Sequence, residues 1–255
     1  MKYILNTRAA HQAAELDALI RHYGAHPVPY PCIAIAPPAD PAALDAALDD
    51  LCAGVYGWLI VTSVNTVMAM AERLARHGRS LAGVPLQVAA VGEVTAQAVD
   101  RLLGRSVALI PDDYSAAALA ARLPIQAGER VLLPQSAIAA PTLAEQLRAR
   151  GAVVNGITAY RTVRGQGGVR LLDELRAGRV DAVTFTSSST VTYLLERLAD
   201  EGGTLANLST VTIACIGANT AATARDAGLR VDVVPPTQSL DHMMQALMGH
   251  WQQAQ

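Results

Sequence analysis

The chain has 255 residues, 51% of them hydrophobic and 16% charged, with 20 basic and 22 acidic side chains for a net charge of −2. That is apolar material for a full core and length for two small domains, and the near-neutral balance leaves no electrostatic footprint for nucleic acid or an anionic membrane. No apolar run approaches the roughly 18–20 residues of a membrane span, and three cysteines without C-x-x-C spacing (Cys32, Cys52, Cys215), each in an apolar setting, predict reduced core thiols in a cytoplasmic protein.

In chain order, residues 3–6 predict a strand with no signal-peptide pattern ahead of it. A helix follows with the apolar stripe Leu16, Leu19, Ile20 and Tyr23, stopped by Gly24, and a second extended segment begins at Val28. Five prolines between Pro27 and Pro38 exclude helix and central strand and predict an extended connector over about 32–40. A short helix covers roughly 41–53. Residues 59–67, LIVTSVNTV, then pass from an apolar strand through Thr62 and Ser63 into a helix with the stripe Val67, Met70, Ala71 and Leu74.

The next strand, 86–92, ends in Gly92 and leads through Thr95 into a helix closed by Gly104. Residues 107–111 read as another strand, Ser115 caps a helix through Leu119 and Leu123, and 130–136 is a strand ending in a hydroxyl. A helix over 141–150 closes at Gly151, and 153–160 is extended. The glycine-rich polar stretch 161–168 forms a second connector. Helix 169–177 follows, then Val183 to Val191 (VTFTSSSTV), strand 211–217 with its helix, strand 231–235, and a last helix capped by Ser239. Alternation of strand and helix predicts parallel sheets covered by helices on both faces.

Much of this is said twice. Thr62, Ser63, Thr66 and Val67 recur as Thr186, Ser187, Thr190 and Val191. Ala89, Gly92, Thr95 and Ala96 recur as Ala214, Gly217, Thr220 and Ala221; Leu16, Arg21, Gly24 and Ala25 as Leu143, Arg148, Gly151 and Ala152. The expected fold is therefore α/β with two similar lobes, each a roughly five-stranded parallel sheet flanked by helices. A tandem split near residue 124 and a discontinuous arrangement both accommodate the repeats. We prefer the second: residues 1–34 with 166–255 as one lobe and 38–160 as the other, since it places both connectors between lobes, where they can pair.

Ligands of open parallel sheets bind beyond the carboxyl ends of the strands. Here those ends carry Arg8, Thr62, Ser63, Thr95, Ser187, Ser188 and Thr220, at helix starts whose free N–H groups and dipoles suit an anion. Each hydroxyl taken alone is as well explained as a helix cap; their recurrence in both lobes is what points to binding. Lys2 is the sole lysine, which removes a Walker-type loop and an internal Schiff base, and neither G-x-G-x-x-G after a strand nor G-x-S-x-G occurs. His22 and His26 straddle Gly24, so no metal site is expected.

Together, Asn6-Thr7-Arg8, Thr62-Ser63, Thr186-Ser187, Val91-Gly92-Glu93-Val94-Thr95-Ala96, residues 147–153, Ala159-Tyr160-Arg161-Thr162 and Ile216-Gly217-Ala218-Asn219-Thr220-Ala221 resemble the uroporphyrinogen-III synthase family, in order and over nearly the whole chain. The resemblance implies a cofactor-free, cytoplasmic, monomeric lyase of porphyrin and heme biosynthesis with its site in an interlobe cleft. It would cyclise hydroxymethylbilane, a linear tetrapyrrole with eight carboxylates, to uroporphyrinogen III with inversion of ring D through a spiro intermediate. Transient contact with the preceding deaminase is implied as well. Tyr160 matches the family's functional tyrosine and would assist departure of the hydroxyl; on the residues alone it reads mainly as a connector aromatic packed on a lobe. Thr62, Ser63, Thr95, Ser187, Ser188 and Thr220 would position substrate, and Arg8 and Arg161 would pair with its carboxylates. Ser188-Ser189 stands where the family often carries a proline. A non-catalytic two-lobed sensor of tetrapyrroles or small anions is the alternative of another class.

Overall fold

The computed structural model describes residues 1–113 and 115–253. Two compact units divide the chain: Met1–Ala34 together with Val163–Gln255, and Ile35–Thr162.

The elements run β1 (Tyr3–Asn6), α1 (Ala13–His22), β2 (His26–Pro29), β3 (Ile33–Ala36), α2 (Pro41–Cys52), β4 (Trp58–Val61), α3 (Val64–Arg76), β5 (Gln87–Ala90), α4 (Glu93–Leu103), α5 (Ala116–Arg122), β6 (Arg130–Ser136), α6 (Thr142–Ala149), β7 (Val153–Arg164), α7 (Leu171–Arg176), β8 (Ala182–Phe185), α8 (Ser188–Asp200), β9 (Thr212–Cys215), α9 (Ala218–Asp226) and α10 (Leu240–Gln253). Local chemistry sets many of these starts. Asp40 caps α2 by accepting the N–H groups of Ala42 and Ala43, with Pro41 at the first helical position, where its missing N–H costs nothing. Ser63, Ser115 and Ser187 cap α3, α5 and α8, and Ser239 Oγ accepts the His242 N–H at the start of α10.

In the first unit the strand order is β2-β1-β8-β9, every pair parallel, extended by a single bridge from Ala214 to Val233. In the second it is β3-β7-β6-β4-β5, extended by a bridge from Ala89 to Leu109. The two orders are one order. Moving β2 and β1 forward by 127 residues, β8 and Val233 back by 124 and β9 back by 125 yields β7, β6, β4, Leu109 and β5 respectively. The copies are therefore permuted: β1-α1-β2, which corresponds to β6-α6-β7, stands at the opposite end of its unit in sequence.

Three details differ from the sequence expectation. The strands at 107–111 and 231–235 shrink to single bridges, because Pro111 and Pro235 have no N–H to continue an edge ladder. The second connector begins as part of a strand, since β7 continues through Arg161 to Arg164. The first contains β3, which spans the proline-free residues between Pro31 and Pro37 and lies at the sheet edge. Proline-bearing β2 is likewise an edge strand, as a missing donor requires.

Strand side chains alternate between two cores per sheet. Leu59 and Val61 join Leu48, Met70 and Val99 on one face of the second unit, whereas Trp58 and Ile60 meet Leu119, Leu143 and Leu147 on the other. In the first unit Leu5, Val183 and Phe185 pack with Leu194 and Leu198, and Ile4 and Ala182 with Leu16, Met243 and Leu247. Burial on both faces explains the unbroken apolar run at β4 and the run at β8 broken only by Thr184, whose hydroxyl donates to the Leu5 carbonyl.

Helices α2 and α3 are clasped at their surface by Arg73 Nε, which donates to Asp45 Oδ1 at 2.7 Å, with His77 Nε2 3.3 Å from Asp45 Oδ2. Hydrogen bonding from Arg73 holds the Asp45 carboxyl below its usual range. A depressed folded-state pKa contributes stability that is complete above the unfolded value of about 3.9 and disappears as pH falls through the folded value. D45N is thus expected to be less stable than wild type at pH 7, with the gap narrowing as denaturant melts are repeated from about pH 4 downward. A constant gap across that range would remove the charge from the explanation.

Candidate functional site

The C-terminal ends of the parallel strands carry the chemistry in both units. In the second unit β4 ends at Val61, and Thr62-Ser63 turns the chain into α3, where Ser63 Oγ accepts the Thr66 N–H at 3.2 Å. Beside it β5 ends at Ala90 and Gly92 begins α4 without a side-chain cap, so the first-turn N–H groups have no side-chain acceptor from their own cap residue. The first unit repeats this: Ser187 caps α8 after β8, and Gly217 begins α9, uncapped, after β9. Each unit thus pairs a capped helix start with an uncapped one on adjacent strands. Gln238 packs over Gly217, where a Cβ would lie 3.1 Å from its Cδ.

Tyr160 sits on β7 opposite Ser136, at the point where the β6–β7 register shifts. Its ring is buried in the same core as Leu59 and Val61, with 8% of its surface exposed, and its Oη lies 3.3 Å from Ser63 Oγ. Residues 97 apart in sequence are therefore brought into hydroxyl contact. Thr95, in the first turn of α4, is 7% exposed, and Thr220, its equivalent in α9, 5%. Neither hydroxyl makes a hydrogen bond to a described residue, in contrast to the buried pair Thr7 and Thr184, whose hydroxyls donate to the Thr184 and Leu5 carbonyls.

The remaining expected residues divide between the units and between tasks. Thr62 is half-buried at its corner. Ser188 Oγ accepts from Thr223 Oγ1 at 2.7 Å, which ties the start of α8 to α9. Arg8 Nη1 lies 3.0 Å from Glu15 Oε2, and Arg161 Nε donates to the Pro37 carbonyl at 3.0 Å, so both guanidinium groups already have protein partners. His22 ends α1 and His26 opens β2, on different elements. Thr66, Thr223 and Gln238 escaped the sequence reading. For Thr66 a signal existed, since it recurs with Ser63 as Thr190 with Ser187, but its i+3 spacing reads as ordinary helix capping.

Twin α/β units with helix N-termini and small hydroxyls at the ends of their parallel strands define a two-domain α/β protein built on one repeated plan. Residues 14–245 match the family model described as uroporphyrinogen-III synthase HemD. The uroporphyrinogen-III synthase of Synechococcus elongatus is 33% identical over 251 residues, covering 96% of this chain and 94% of that one, and that of Chlorobaculum parvum is 28% identical over 243 residues, covering 92% and 93%. A crystal structure of the Thermus thermophilus enzyme superimposes with a TM-score of 0.66 at 22% identity, over 99% of this chain and all of that one. The chain belongs to the uroporphyrinogen-III synthase family.

Proposed function

We infer that the protein is a lyase of porphyrin biosynthesis that cyclises hydroxymethylbilane to uroporphyrinogen III. The carrying observation is the family match over residues 14–245, joined to a relative 33% identical across 96% of the chain. In the reaction the hydroxyl on the terminal carbon of ring A leaves as water while the pyrrole nitrogen supplies electrons, giving an azafulvene. The substituted carbon of ring D attacks it, the spiro intermediate opens, and reclosure through ring D's free carbon releases a proton and leaves that ring inverted. One water is lost overall.

Because the bilane also closes unaided to the uninverted isomer, the protein's task is to hold the chain curled and steer the attack, for which proximity and orientation supply most of the rate. We assign Tyr160 to protonation of the departing hydroxyl. Thr62, Ser63 and Thr95 of one unit and Ser187, Ser188 and Thr220 of the other position the substrate, whose carboxylates are received by helix N-termini and by Arg8 and Arg161. The unpartnered hydroxyls of Thr95 and Thr220 support that assignment. We further propose that the enzyme works as a cytoplasmic monomer that meets the preceding deaminase only transiently; among the described residues no helix is long and apolar enough to cross a membrane.

Freshly generated hydroxymethylbilane incubated with the protein is expected to yield isomer III. Isomer I alone, together with tetrapyrrole binding, would establish a sensor instead. Thr95→Ala and Thr220→Ala each remove one neutral hydrogen bond of about 1 kcal/mol, so each is expected to raise KM about fivefold with little change in kcat. Unchanged KM in both variants would remove these threonines from the binding set.

A further inference from the structure

We propose that Thr66, a fully buried residue, fixes the direction of the hydrogen bond at Tyr160 and thereby leaves the phenol proton free for the departing hydroxyl of the bilane; this rests on the role assigned above to Tyr160. Three oxygens form a chain. Thr66 Oγ1 lies 3.0 Å from Ser63 Oγ, which lies 3.3 Å from Tyr160 Oη. Ser63 Oγ also accepts the Thr66 backbone N–H at 3.2 Å. The Thr66 hydroxyl has no other partner among the described residues, and Thr66 is 0% exposed.

A hydroxyl offers one proton and two acceptor positions, and a buried donor left without an acceptor is costly. The Thr66 proton therefore goes to Ser63 Oγ. With the backbone N–H already there, both acceptor positions of Ser63 are filled, and among the described residues its own proton has only Tyr160 Oη to meet. Tyr160 accepts, and its phenol proton has no acceptor among the described residues. Under the opposite polarity Tyr160 would donate to Ser63, Ser63 to Thr66, and the Thr66 proton would be stranded in the core.

The repeated corner in the other unit is an internal control. There Thr190 Oγ1 donates to the Ser187 carbonyl at 2.7 Å, so the threonine proton is taken by the backbone and does not reach Ser187 Oγ. At Thr66 that carbonyl bond is replaced by the contact to Ser63 Oγ. In the reaction the free phenol proton passes to the oxygen as the C–O bond breaks, water departs, and the tyrosinate regains a proton from the one ring D releases on closure. Thr66 touches none of these atoms and is a positioning residue.

The test uses the full chain without substrate first. A difference Raman spectrum, wild type minus Y160F, isolates Tyr160 among the seven tyrosines, and the intensity ratio of its ring Fermi doublet separates an accepting phenol from a donating one. Wild type is expected to show the acceptor pattern, T66S to keep it, and T66V to move toward the donor pattern; T66A serves the same contrast should T66V not fold. With hydroxymethylbilane, T66V is expected to lower kcat about tenfold at near-constant KM, T66S to recover it, and T66V to add under about twofold to Y160F, since it acts through that phenol. A donor pattern in wild type, an unchanged pattern in both T66V and T66A, or fully multiplicative losses in the double variant would overturn the proposal. Should the spectra behave as stated while Y160F retains full isomer III formation, the role given to the phenol falls, and the hydrogen-bond direction stands.

Discussion

Tyr160→Phe is expected to lower the rate of isomer III formation by about 100-fold, the lower end of what a positioned general acid contributes, and to let the unaided isomer I accumulate beside it. Phenylalanine retains the buried ring among Leu59, Val61 and Ala159, so the core keeps its volume and only Oη with its 3.3 Å contact to Ser63 is lost. In the proposed role the Tyr160 phenol gives up its proton only as the carbon–oxygen bond lengthens. The loss belongs in kcat. Thr95→Ala, which removes a single neutral hydrogen bond, is expected to cost far less in kcat. Chromatographic separation of isomers I and III over a time course measures both; equal losses in the two variants would contradict a special role for the phenol.

Gly165→Ala is expected to destabilise the first unit by about 3 kcal/mol or more, lowering its melting temperature by about 10 °C. The chain passes Gly165 directly against residues 31–33. Its N–H donates to the Cys32 carbonyl at 2.8 Å, and a Cβ built there would lie 2.8 Å from Ile33 N and 2.9 Å from the Cys32 carbonyl carbon, nearer still to the Pro31 oxygen. Those are backbone atoms, which no rotamer change can move aside. The same crossing is held by Arg197, whose guanidinium lies 3.9 Å from the Tyr30 ring centroid and donates to the carbonyls of Pro31 and Gly167, while Tyr30 Oη donates to Glu201 at 2.9 Å. Gly156, exposed on β7 with no atom within 4 Å of its would-be Cβ, is the control: Gly156→Ala is expected to stay within about 0.5 kcal/mol of wild type. If calorimetry finds the two variants melting together, the close approach at Gly165 is not what demands glycine.

The paired corners are legible in the sequence because everything about them is local. An apolar run, a Ser, Thr, Asn or Gly at the turn, and an apolar stripe at helical spacing need no distant residue to be recognised, and of the small polar residues at each corner Ser63 and Ser187 are the caps of α3 and α8. The edge segments around Leu109 and Val233 carried the same alternation, yet each forms one bridge, since strand length depends on neighbours and on prolines with no donor to offer. Arg8 and Arg161 looked like free cations in sequence. Folding gives the first Glu15 and the second the Pro37 carbonyl, partners that charge counting does not disclose.

Taken by itself, the amino-acid order determined the alternating elements, the two copies of one α/β plan and the hydroxyls at the strand ends, all consequences of short-range periodicity and of residues repeated at near-constant offsets; the family resemblance rested separately on its ordered motifs. Tertiary structure decided that β1-α1-β2 completes the unit built by the C-terminal half, that Gly165 lies against Pro31, and that Ser63 links Thr66 to Tyr160. The reason is distance along the chain: a hydrogen bond between oxygens 97 residues apart exists only once β4, β6 and β7 have paired and fixed where each side chain ends.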